Sequence, residues 1–295
     1  MTTNPLTWFK SIFKQPQADG PYESFHANGQ LKCKGIYKDG MKDGPYEAYF
    51  ENGQLESKGN YKENKKDSLW ENYSATGQIL FTGNYIVGKS DGTHKRFHKN
   101  GQLRDSQSYI DGKNEGLWEL FYENGQLKSR GDYKDAKREG PFEIFYNNGQ
   151  LRSKGNHKND KRDIAYESYF QNGQLESAGS YKEGKKDGPW KEFYGNGQLK
   201  LSGGFKDGNQ DASWVIYHEN GQVKLTGGYK NDKRDGLFEE YRENGQLKVK
   251  EHYKNDKKDG PYESYDDNDQ LKSRGNFKHG QLDGEYELYK DGVLQ

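Results

Sequence analysis

Two histidines four residues apart are the residues whose types and spacing most suggest metal or acid–base chemistry. His94 and His98 stand in the segment 93–99, which reads Thr-His-Lys-Arg-Phe-His-Lys. If this segment is a β-strand, four residues separate the two imidazoles by about 13 Å. A zinc ion takes its nitrogen ligands at about 2.1 Å. The pair therefore predicts no metal site.

The other reactive side chains do not form a catalytic arrangement. Cys33 stands where other copies of a repeated pattern carry Ser57, Ser129 or Ser153, which indicates a small packed residue rather than a nucleophile. In the loop 38–44, lysines interrupt the carboxylates and no bidentate glutamate follows, unlike a calcium loop. No glycine-rich phosphate loop precedes a helix. The sequence predicts no catalytic, cofactor-binding or metal-binding residue, and no enzyme.

Charge and composition exclude several classes of protein. The chain has 295 residues, and 46 Lys and Arg balance 46 Asp and Glu, so no net field would hold a polyanion and nucleic acid is not predicted as a partner. No apolar run is long enough for a transmembrane helix. Only 29% of the residues are hydrophobic, but 14% are aromatic, which is too many for a disordered chain.

The amino end favours the cytoplasm as the location of the protein. A single cysteine cannot form an intramolecular disulfide. The first 20 residues carry Lys10 and Lys14 within their apolar stretch, and no small-residue cleavage site precedes Pro16. These features are unlike those of a secretory signal.

Residues 1–19 are predicted to cap the domain that follows, which covers residues 20–295. Leu6, Phe9 and Phe13 have helical spacing, so a short amphipathic helix is expected to cover the first hairpin. The alternative is a helix that lies at a membrane surface, which aromatic and basic residues in the same segment favour.

One 24-residue unit is repeated along the rest of the chain. The motif Asn-Gly-Gln-Leu recurs without insertion or deletion, and its glycine, or the residue in that place, stands at 29, 53, 77, 101, 125, 149, 173, 197, 221, 245 and 269. A shortened twelfth copy occupies 291–294. A constant period predicts one supersecondary unit stacked in a line.

Each unit is predicted to be a β-hairpin. In the copy 44–67, Asn52-Gly53 separates two strand-like runs that are rich in aromatic residues. This is the typical signal of a two-residue type I′ turn. The predicted fold class is therefore all-β, an elongated, twisted, single-layer antiparallel meander of about twelve hairpins, because neighbouring strands twist by roughly 20°.

The register of the hairpin can be tested within the sequence. The turn places Tyr46 opposite Gly59; the first position is aromatic in eleven of twelve units, and the second is glycine in nine of eleven. The unit without the ring, at His94, also lacks the glycine. Glu47 falls opposite Lys58, and wherever the second position is basic the first is Glu. The ring of Tyr46 is expected to lie over the glycine.

Two faces follow from this register. Tyr46, Leu55 and Tyr61 are predicted on one apolar face. Tyr49 and the Glu–Lys pairs are predicted on the other face. Acidic residues at the end of each unit, such as Asp43, are interpreted as parts of a solvated turn with local ion pairs.

The consensus Gly-Pro-Tyr-Glu-x-Tyr-x-x-Asn-Gly-Gln-Leu-x-x-x-Gly-x-Tyr-Lys-x-Gly-x-x-Asp-Gly resembles the MORN repeat, in the bacterial variant found in YwqK-type antitoxin proteins. The resemblance covers about residues 20–295. It implies a single-layer antiparallel meander that acts as a binding or scaffolding module. The chain departs from the eukaryotic form in its Asn-Gly-Gln-Leu motif and its longer period, which argues against borrowing a lipid-binding role from that form.

Candidate partner-binding residues depart from the consensus or carry a ring beside the turn. Repeat four has Asp105 and Gln107 in place of serine and glycine. Such departures from the consensus can mark a functional site, and the alternative explanation is sequence drift in a repeat array that tolerates substitutions. Rings that follow the Tyr49 position could form a contact ridge, since tyrosine is frequent at binding hot spots, or could pack on the Leu55 position. The predicted partner-binding residues are Phe50, His94, Arg96, His98, Tyr122, Tyr146, Phe170 and Tyr194.

The sequence thus predicts a non-enzymatic, cytoplasmic protein that binds a protein partner. The resemblance implies a bacterial antitoxin or immunity protein that neutralises a cognate toxin by direct binding. A homodimer would also cover the apolar face. The alternative is a structural scaffold, peripheral to a membrane surface, that uses the lysines at 38, 62, 134, 158, 182, 206, 230, 254 and 278.

Overall fold

The computed structural model describes residues 18–290 and 292–295. These residues divide after residue 137 into two units. Consecutive strands pair antiparallel within each unit, which confirms the predicted all-β hairpin meander. The predicted capping helix falls on residues that lie outside the described part of the chain.

Each 24-residue repeat supplies an incoming strand and an outgoing strand. The strands of the first unit are β1 (Gly20–Phe25), β2 (Leu31–Lys38), β3 (Met41–Lys42), β4 (Gly44–Tyr49), β5 (Leu55–Lys62), β6 (Lys65–Tyr73), β7 (Ile79–Ile86), β8 (Lys89–Ser90), β9 (Gly92–Phe97), β10 (Leu103–Ile110), β11 (Lys113–Phe121) and β12 (Leu127–Lys134). Those of the second unit, the first of which begins at Lys137, are β13 (Lys137–Phe145), β14 (Leu151–Lys158), β15 (Lys161–Tyr169), β16 (Leu175–Lys182), β17 (Lys185–Phe193), β18 (Leu199–Lys206), β19 (Asn209–Gln210), β20 (Ala212–Tyr217), β21 (Val223–Lys230), β22 (Lys233–Tyr241), β23 (Leu247–Lys254), β24 (Lys257–Tyr265), β25 (Leu271–Lys278), β26 (Gln281–Lys290) and β27 (Val293–Leu294).

The Asn-Gly turn is not the predicted two-residue type I′ turn. After β4, the Phe50 N–H donates to the Gln54 carbonyl and the Gly53 N–H donates to the Phe50 carbonyl, both at 2.9 Å. Gly53 has a φ of 79°, whereas Asn52 keeps a negative φ. A type I′ turn needs positive φ at both central residues. The connection is therefore a three-residue loop that ends in a left-handed glycine.

Two-residue type I′ turns occur at the opposite end of the repeat. Glu63 and Asn64 have φ angles of 49° and 64°, and they connect Lys62 to its ladder partner Lys65. This polar stretch was predicted to be a solvated turn, and it is exposed. It is a tight type I′ turn, because both of its central residues adopt the left-handed region.

The predicted register is confirmed although the turn is different. Tyr46 pairs with Gly59, but Tyr49 pairs with Leu55, because a bulge at Glu56 shifts the ladder by one residue. The wider turn and the bulge compensate each other. Directly opposed residues share a face, so Leu55 lies with Tyr49, and its predicted place beside Tyr46 is wrong.

The core lies on the face that contains Tyr46, Ala48, Ser57, Gly59 and Tyr61 and their equivalents, here called the ring face. Each buried hydrophobic, polar or charged side chain of the described residues occupies one of these repeat positions; they are Ala48, Trp70, His94, Asp105, Ser129, Phe142, Ser153, Ser168, Ser177, Trp190, Trp214, Phe238, Tyr253, Ser264 and Ser273. The burial of rings on this face supplies the main driving force for folding.

Rings of successive repeats contact one another on the ring face. In the first unit, Tyr61 lies 5.1 Å from Tyr46 and 4.9 Å from Trp70, measured between ring centroids. Such pairs contribute about 0.5–1.5 kcal/mol beyond area burial. In the second unit, consecutive edge-to-face pairs with centroids 5.2 to 6.3 Å apart connect Trp190, Phe205, Trp214, Tyr229, Phe238 and Tyr253.

Glycine at the opposed position lets a ring lie directly on the strand. A Cβ on Gly59 would first meet Trp70 of the next repeat, not Tyr46, and a Cβ on Gly179 would first meet Trp190. The predicted pairing of ring and glycine is therefore confirmed, while the ring over Gly59 belongs to the following hairpin. The ring of the same hairpin is nearest at Gly35, Gly131 and Gly155.

Basic side chains cover the rings from the side of the type I′ turns. The Lys66 Nζ lies 4.4 Å from the ring centroid of Trp70, and the Lys186 Nζ lies 3.6 Å from that of Trp190. Burial lowers the pKa of both lysines. Cation–π contacts of this kind are favourable in partly desolvated sites. Repeat four has Ser90 at this position and lacks the contact.

Candidate interaction surface

The Asn-Gly-Gln-Leu motif holds each repeat to the next one. The Asn52 side chain accepts a hydrogen bond from the Gln54 N–H at 3.1 Å and donates to the Ala75 carbonyl of the following turn at 2.8 Å. The most regular motif of the sequence is therefore structural. The bond to a carbonyl 23 residues further on recurs at Asn28, Asn100, Asn172, Asn196 and Asn220.

The acidic residues at the other end of the unit also connect repeats. Asp67 accepts a hydrogen bond from the Val87 N–H at 3.0 Å, and Glu115 accepts one from the Asp135 N–H at 2.8 Å. The donor belongs in each case to the type I′ turn of the next repeat. These carboxylates satisfy backbone groups that the tight turn leaves unpaired, so they connect repeats in addition to lying beside an exposed turn with local ion pairs such as Lys89–Asp111.

The aromatic residues predicted to form a contact ridge are half-buried rather than exposed. The Tyr146 hydroxyl donates to the Tyr169 carbonyl at 2.8 Å, and the Tyr194 hydroxyl donates to the Tyr217 carbonyl at 2.7 Å. Both bonds join a turn to the next repeat. The role of this group in partner binding stays a prediction; its members are Phe50, Tyr122, Tyr146, Phe170 and Tyr194.

The three residues predicted as a binding set in repeat four have different surroundings. His94 lies on the ring face and is only 7% exposed. The exposed Arg96 forms an ion pair with Asp105 at 2.7 Å. The Nε2 of His98 lies 3.1 Å from a backbone carbonyl of the next repeat, at Phe121. His94 and Arg96 thus share the ring face of β9, whereas His98 lies in the turn after the strand.

His94 takes the place that tryptophan has in other repeats. The Trp70 indole N–H donates to the Asn60 carbonyl at 2.9 Å, and the Nε2 of His94 lies 2.8 Å from the equivalent carbonyl of Asn84. A neutral imidazole that is protonated at Nε2 can donate this bond. Burial lowers the pKa of His94, with a smaller contribution from Arg96. These contacts explain His94 as a core residue.

The opposite face, here called the charged face, contains Glu47, Tyr49 and Lys58 and their equivalents. Lys34 lies 2.9 Å from Glu47, and Lys58 lies 2.7 Å from Glu71. The predicted opposition of Glu47 and Lys58 is confirmed, but each of these lysines forms its ion pair with the following hairpin. The hydrogen bonds from Tyr49 and Lys34 lower the pKa of Glu47. Further pairs join Lys154 to Glu167 and Arg274 to Glu287.

The row of ion pairs is interrupted where a lysine replaces the glutamate. Lys95 lies between Thr82 and Ser106, which oppose it on the two neighbouring strands. Lys191 likewise lies between an alanine and a serine. In the part of the chain that the structure describes, neither lysine has an ion-pair partner.

Four aliphatic side chains lie on the charged face on the type I′ turn side of Lys95, with Cα atoms about 12 to 14 Å from that of Lys95 at the usual strand spacing. Leu69 and Leu117 are 48% and 46% exposed, and Ile86 and Ile110 are 58% and 61% exposed. The isoleucines stand where nine other repeats carry lysine. The five residues, here called the repeat-four patch, lie on β6, β7, β9, β10 and β11, which span about 19 Å at the usual strand spacing.

The described residues were also compared with what a metal site and a membrane-spanning helix require. Among residues 18–290 and 292–295, no three His, Cys, Asp or Glu side chains are placed where they could hold a metal ion. The same part of the chain contains no helix that is both long enough and apolar enough to cross a membrane.

A family model described as a MORN repeat variant matches ten segments of the chain. They are residues 18–39, 42–63, 90–111, 114–135, 138–159, 162–183, 186–207, 210–231, 234–255 and 258–279. The match passes over 64–89, which contain Leu69 and Ile86 of the repeat-four patch. No curated protein matches the chain.

Solved structures to which the chain is similar include a TcdB2-TccC3-Cdc42 complex and a TcdB2-TccC3 complex. Each is 14% identical with a TM-score of 0.20, and the match covers 97% and 99% of this chain but 16% of theirs. A Tc holotoxin pore of Photorhabdus luminescens is 13% identical with a TM-score of 0.20, over 99% of this chain and 18% of that chain. The chain thus spans less than a fifth of their length, and TM-scores of this size do not establish a shared fold.

Proposed function

This chain belongs to the MORN repeat variant family, and we propose that it is a non-enzymatic protein that binds a protein partner. The observation that carries the proposal is the repeat-four patch. Four aliphatic side chains, each about half exposed, lie on the same face as a lysine that has lost its usual ion pair, between it and the type I′ turns. Exposed apolar patches with a polar surround typically mark interaction sites on soluble proteins.

The proposed partner is a toxin that the protein neutralises by covering its active surface in the bacterial cytoplasm. The resemblance of the consensus to YwqK-type antitoxin proteins supports this step. The bonds between repeats support it as well, because side chains held by a regular ladder lose little freedom on binding. A preorganised surface suits tight inhibition.

Co-expression with the neighbouring gene tests the toxin step. The product of that gene is expected to stop growth when expressed alone, and growth should recover when this chain is present. The two purified proteins should then co-elute from a size-exclusion column. Equal growth arrest with and without this chain would exclude the antitoxin role.

A second candidate function is scaffolding at an anionic membrane surface, which a row of exposed lysines favours. Within a unit, successive members lie two strands apart, or about 10 Å. A lysine near an anionic surface contributes about 1 kcal/mol. Sedimentation with phosphatidylserine vesicles at low salt would support this function, and its absence there would exclude it. The row consists of Lys38, Lys62, Lys134, Lys158, Lys182, Lys206, Lys230, Lys254 and Lys278.

A further inference from the structure

We infer that the repeat-four patch binds a partner segment that carries a carboxylate and, on one side of it, aliphatic side chains. The inference rests on the proposed protein-binding function, for which it names the surface and the chemistry of the partner. The carboxylate is expected over Lys95, and the aliphatic groups are expected over Leu69, Ile86, Ile110 and Leu117.

The charge of this region is complementary to an acidic segment. Residues 65–121, which contain the five strands of the patch, carry eight Lys or Arg and seven Asp or Glu, so the charge that a bound segment would meet is that of the unpaired Lys95. The strands on either side of Lys95 present the hydroxyls of Thr82 and Ser106 instead of the usual charges. A carboxylate over Lys95 would restore the ion pair that this row has elsewhere, and hydroxyls could donate to its remaining lone pairs.

The aliphatic side chains lie where they can contact groups on one side of such a carboxylate. Leu69 and Leu117 are on β6 and β11, the outer strands of the patch, while Ile86 and Ile110 end β7 and β10 beside the type I′ turns. Removing these surfaces from water would drive binding, and the unpaired lysine would set the register of the bound segment.

The same features argue for a peptide segment rather than a lipid surface. An anionic membrane would be attracted by the row of lysines on the charged face. Ile86 and Ile110 remove two positive charges from that row at the patch. An anionic membrane would therefore gain the least binding free energy at the patch. A peptide would gain the most there, because its aliphatic side chains would be removed from water.

The region around Lys191 shares the exchanged lysine but not its surroundings. The residues equivalent to the four aliphatic ones are Ala165, Lys182, Lys206 and Ser213. The equivalent residues, 161–217, carry eight Lys or Arg and eight Asp or Glu, so the two regions differ little in net charge and mainly in these four side chains. This region therefore provides a matched control within the same chain.

Selection of 12-residue peptides from a random library on the full-length protein tests the inference. Enriched peptides should contain Asp or Glu and, on one side of it, Leu, Ile or Phe. A variant with Ile86→Lys, Lys95→Glu and Ile110→Lys should bind them at least about tenfold more weakly. Each substitution introduces the residue found at the same position of most repeats, so the fold should be kept, and circular dichroism checks this. The control variant Lys191→Glu should bind within about twofold of the wild type.

Transfer of the patch provides a gain of binding. In the triple variant, Ala165→Leu, Lys182→Ile, Lys206→Ile and Ser213→Leu should recreate the patch around Lys191 and restore binding of the same peptides. Replacement of the peptide carboxylates by amides should abolish binding to both sites.

Several results would overturn the inference. They are the absence of any enriched peptide, enrichment of basic or uncharged peptides, equal losses in the triple variant and in Lys191→Glu, and binding of phosphatidylserine vesicles in place of peptides that is lost in the triple variant. If the triple variant still neutralises the neighbouring gene product, the patch assignment fails while the proposed function stands. If wild-type protein binds the peptides but does not neutralise that product, the antitoxin function fails and the patch stands.

Discussion

The regions around Lys95 and Lys191 are built on the same repeat and differ in both faces of the sheet. On the ring face, next to Lys191, Trp190 is 3% exposed and Lys186 lies over its ring. Next to Lys95, the smaller ring of His94 lacks this contact, because Ser90 stands at the position equivalent to Lys186. On the charged face, four positions on the type I′ turn side carry aliphatic residues near Lys95 but Ala, Lys, Lys and Ser near Lys191.

A repeat can therefore change the residues on its surface without a change in strand register. Adjacent residues of a strand point to opposite faces, so His94 and Lys95 contact different neighbours. His94 keeps the backbone bond that Trp70 makes, and the ladder around it keeps the pairing of other repeats. The repeats on either side then hold the altered unit in place.

Deletion of one whole repeat should have the largest effect on peptide binding, and this effect should differ between the two regions. Deletion of 88–111 joins Val87 to Gly112 in the same phase and removes the centre of the patch; deletion of 184–207 is the equivalent change around Lys191. Both shortened chains should keep their strand signal in circular dichroism, because each repeat contacts mainly its neighbours. Binding of acidic–aliphatic peptides should be abolished only in the first. Unfolding of both chains would contradict the stacked-repeat architecture, and loss of binding in both would contradict a local patch.

The replacement of Trp190 by alanine should destabilise its region more than the replacement of His94 destabilises the other. Trp190 contacts Tyr181 and Phe205, at centroid distances of 5.8 and 6.1 Å. Its loss should cost about 3–5 kcal/mol of unfolding free energy, against about 1–2 kcal/mol for the smaller His94 ring and its hydrogen bond. Hydrogen exchange of β17 and of β9 measures the two effects separately. Equal losses would mean that the two rings support their repeats to the same extent.

A side chain opposite the ring should be tolerated in repeat four and not beneath Trp190. Gly179→Gln would place its Cβ in the Trp190 ring and should cost about 2 kcal/mol. Gln107→Gly, the reverse change opposite His94, should alter stability by less than about 1 kcal/mol. Chemical denaturation followed by tryptophan fluorescence checks the first and hydrogen exchange the second. A harmless Gly179→Gln would show that the ring can move off the strand.

Acid should weaken the region around His94 and leave that around Trp190 unchanged. Burial lowers the folded-state pKa of His94 below its usual value near 6.5, so the unfolded state binds the proton more readily. Its contribution to stability is complete above the unfolded pKa and is lost as the pH falls towards the folded value. Hydrogen-exchange protection of β7, β9 and β10, corrected for intrinsic rates, should fall by at most about tenfold per pH unit. In His94→Phe this dependence should disappear, and its persistence there would assign the effect to another group.

The sequence analysis predicted the hairpin and its register correctly but misassigned the turn. The ring and the glycine occur together in most repeats, which identifies Tyr46 and Gly59 as opposed positions. This pairing does not depend on the type of turn that closes the hairpin. The bulge at Glu56 has no local signal, and it cancels the extra turn residue. Leu55 was therefore placed on the wrong face, because the change of face occurs within the bulge.

The candidate site was visible in the sequence only in part. The departure of repeat four from the consensus was recognised, and the two isoleucines that interrupt the row of lysines were an available signal. Leu69 and Leu117 are 48 residues apart, however, and only the pairing of the strands between them places both on the same face as Lys95, two strands away on either side. The binding role of His94, Arg96 and His98 stays a prediction: His94 and Arg96 share the ring face of β9, whereas His98 lies in the turn that follows.

The sequence by itself determined the period, the hairpin, and which residues oppose each other within it. These properties are local and repeated, so each copy is an independent test of the same pattern. The three-dimensional arrangement of the strands sets which ring covers Gly59, which glutamate pairs with Lys58, and which side chains share a face with Lys95. All three depend on contacts between strands of different repeats, which the pattern within a single repeat does not specify.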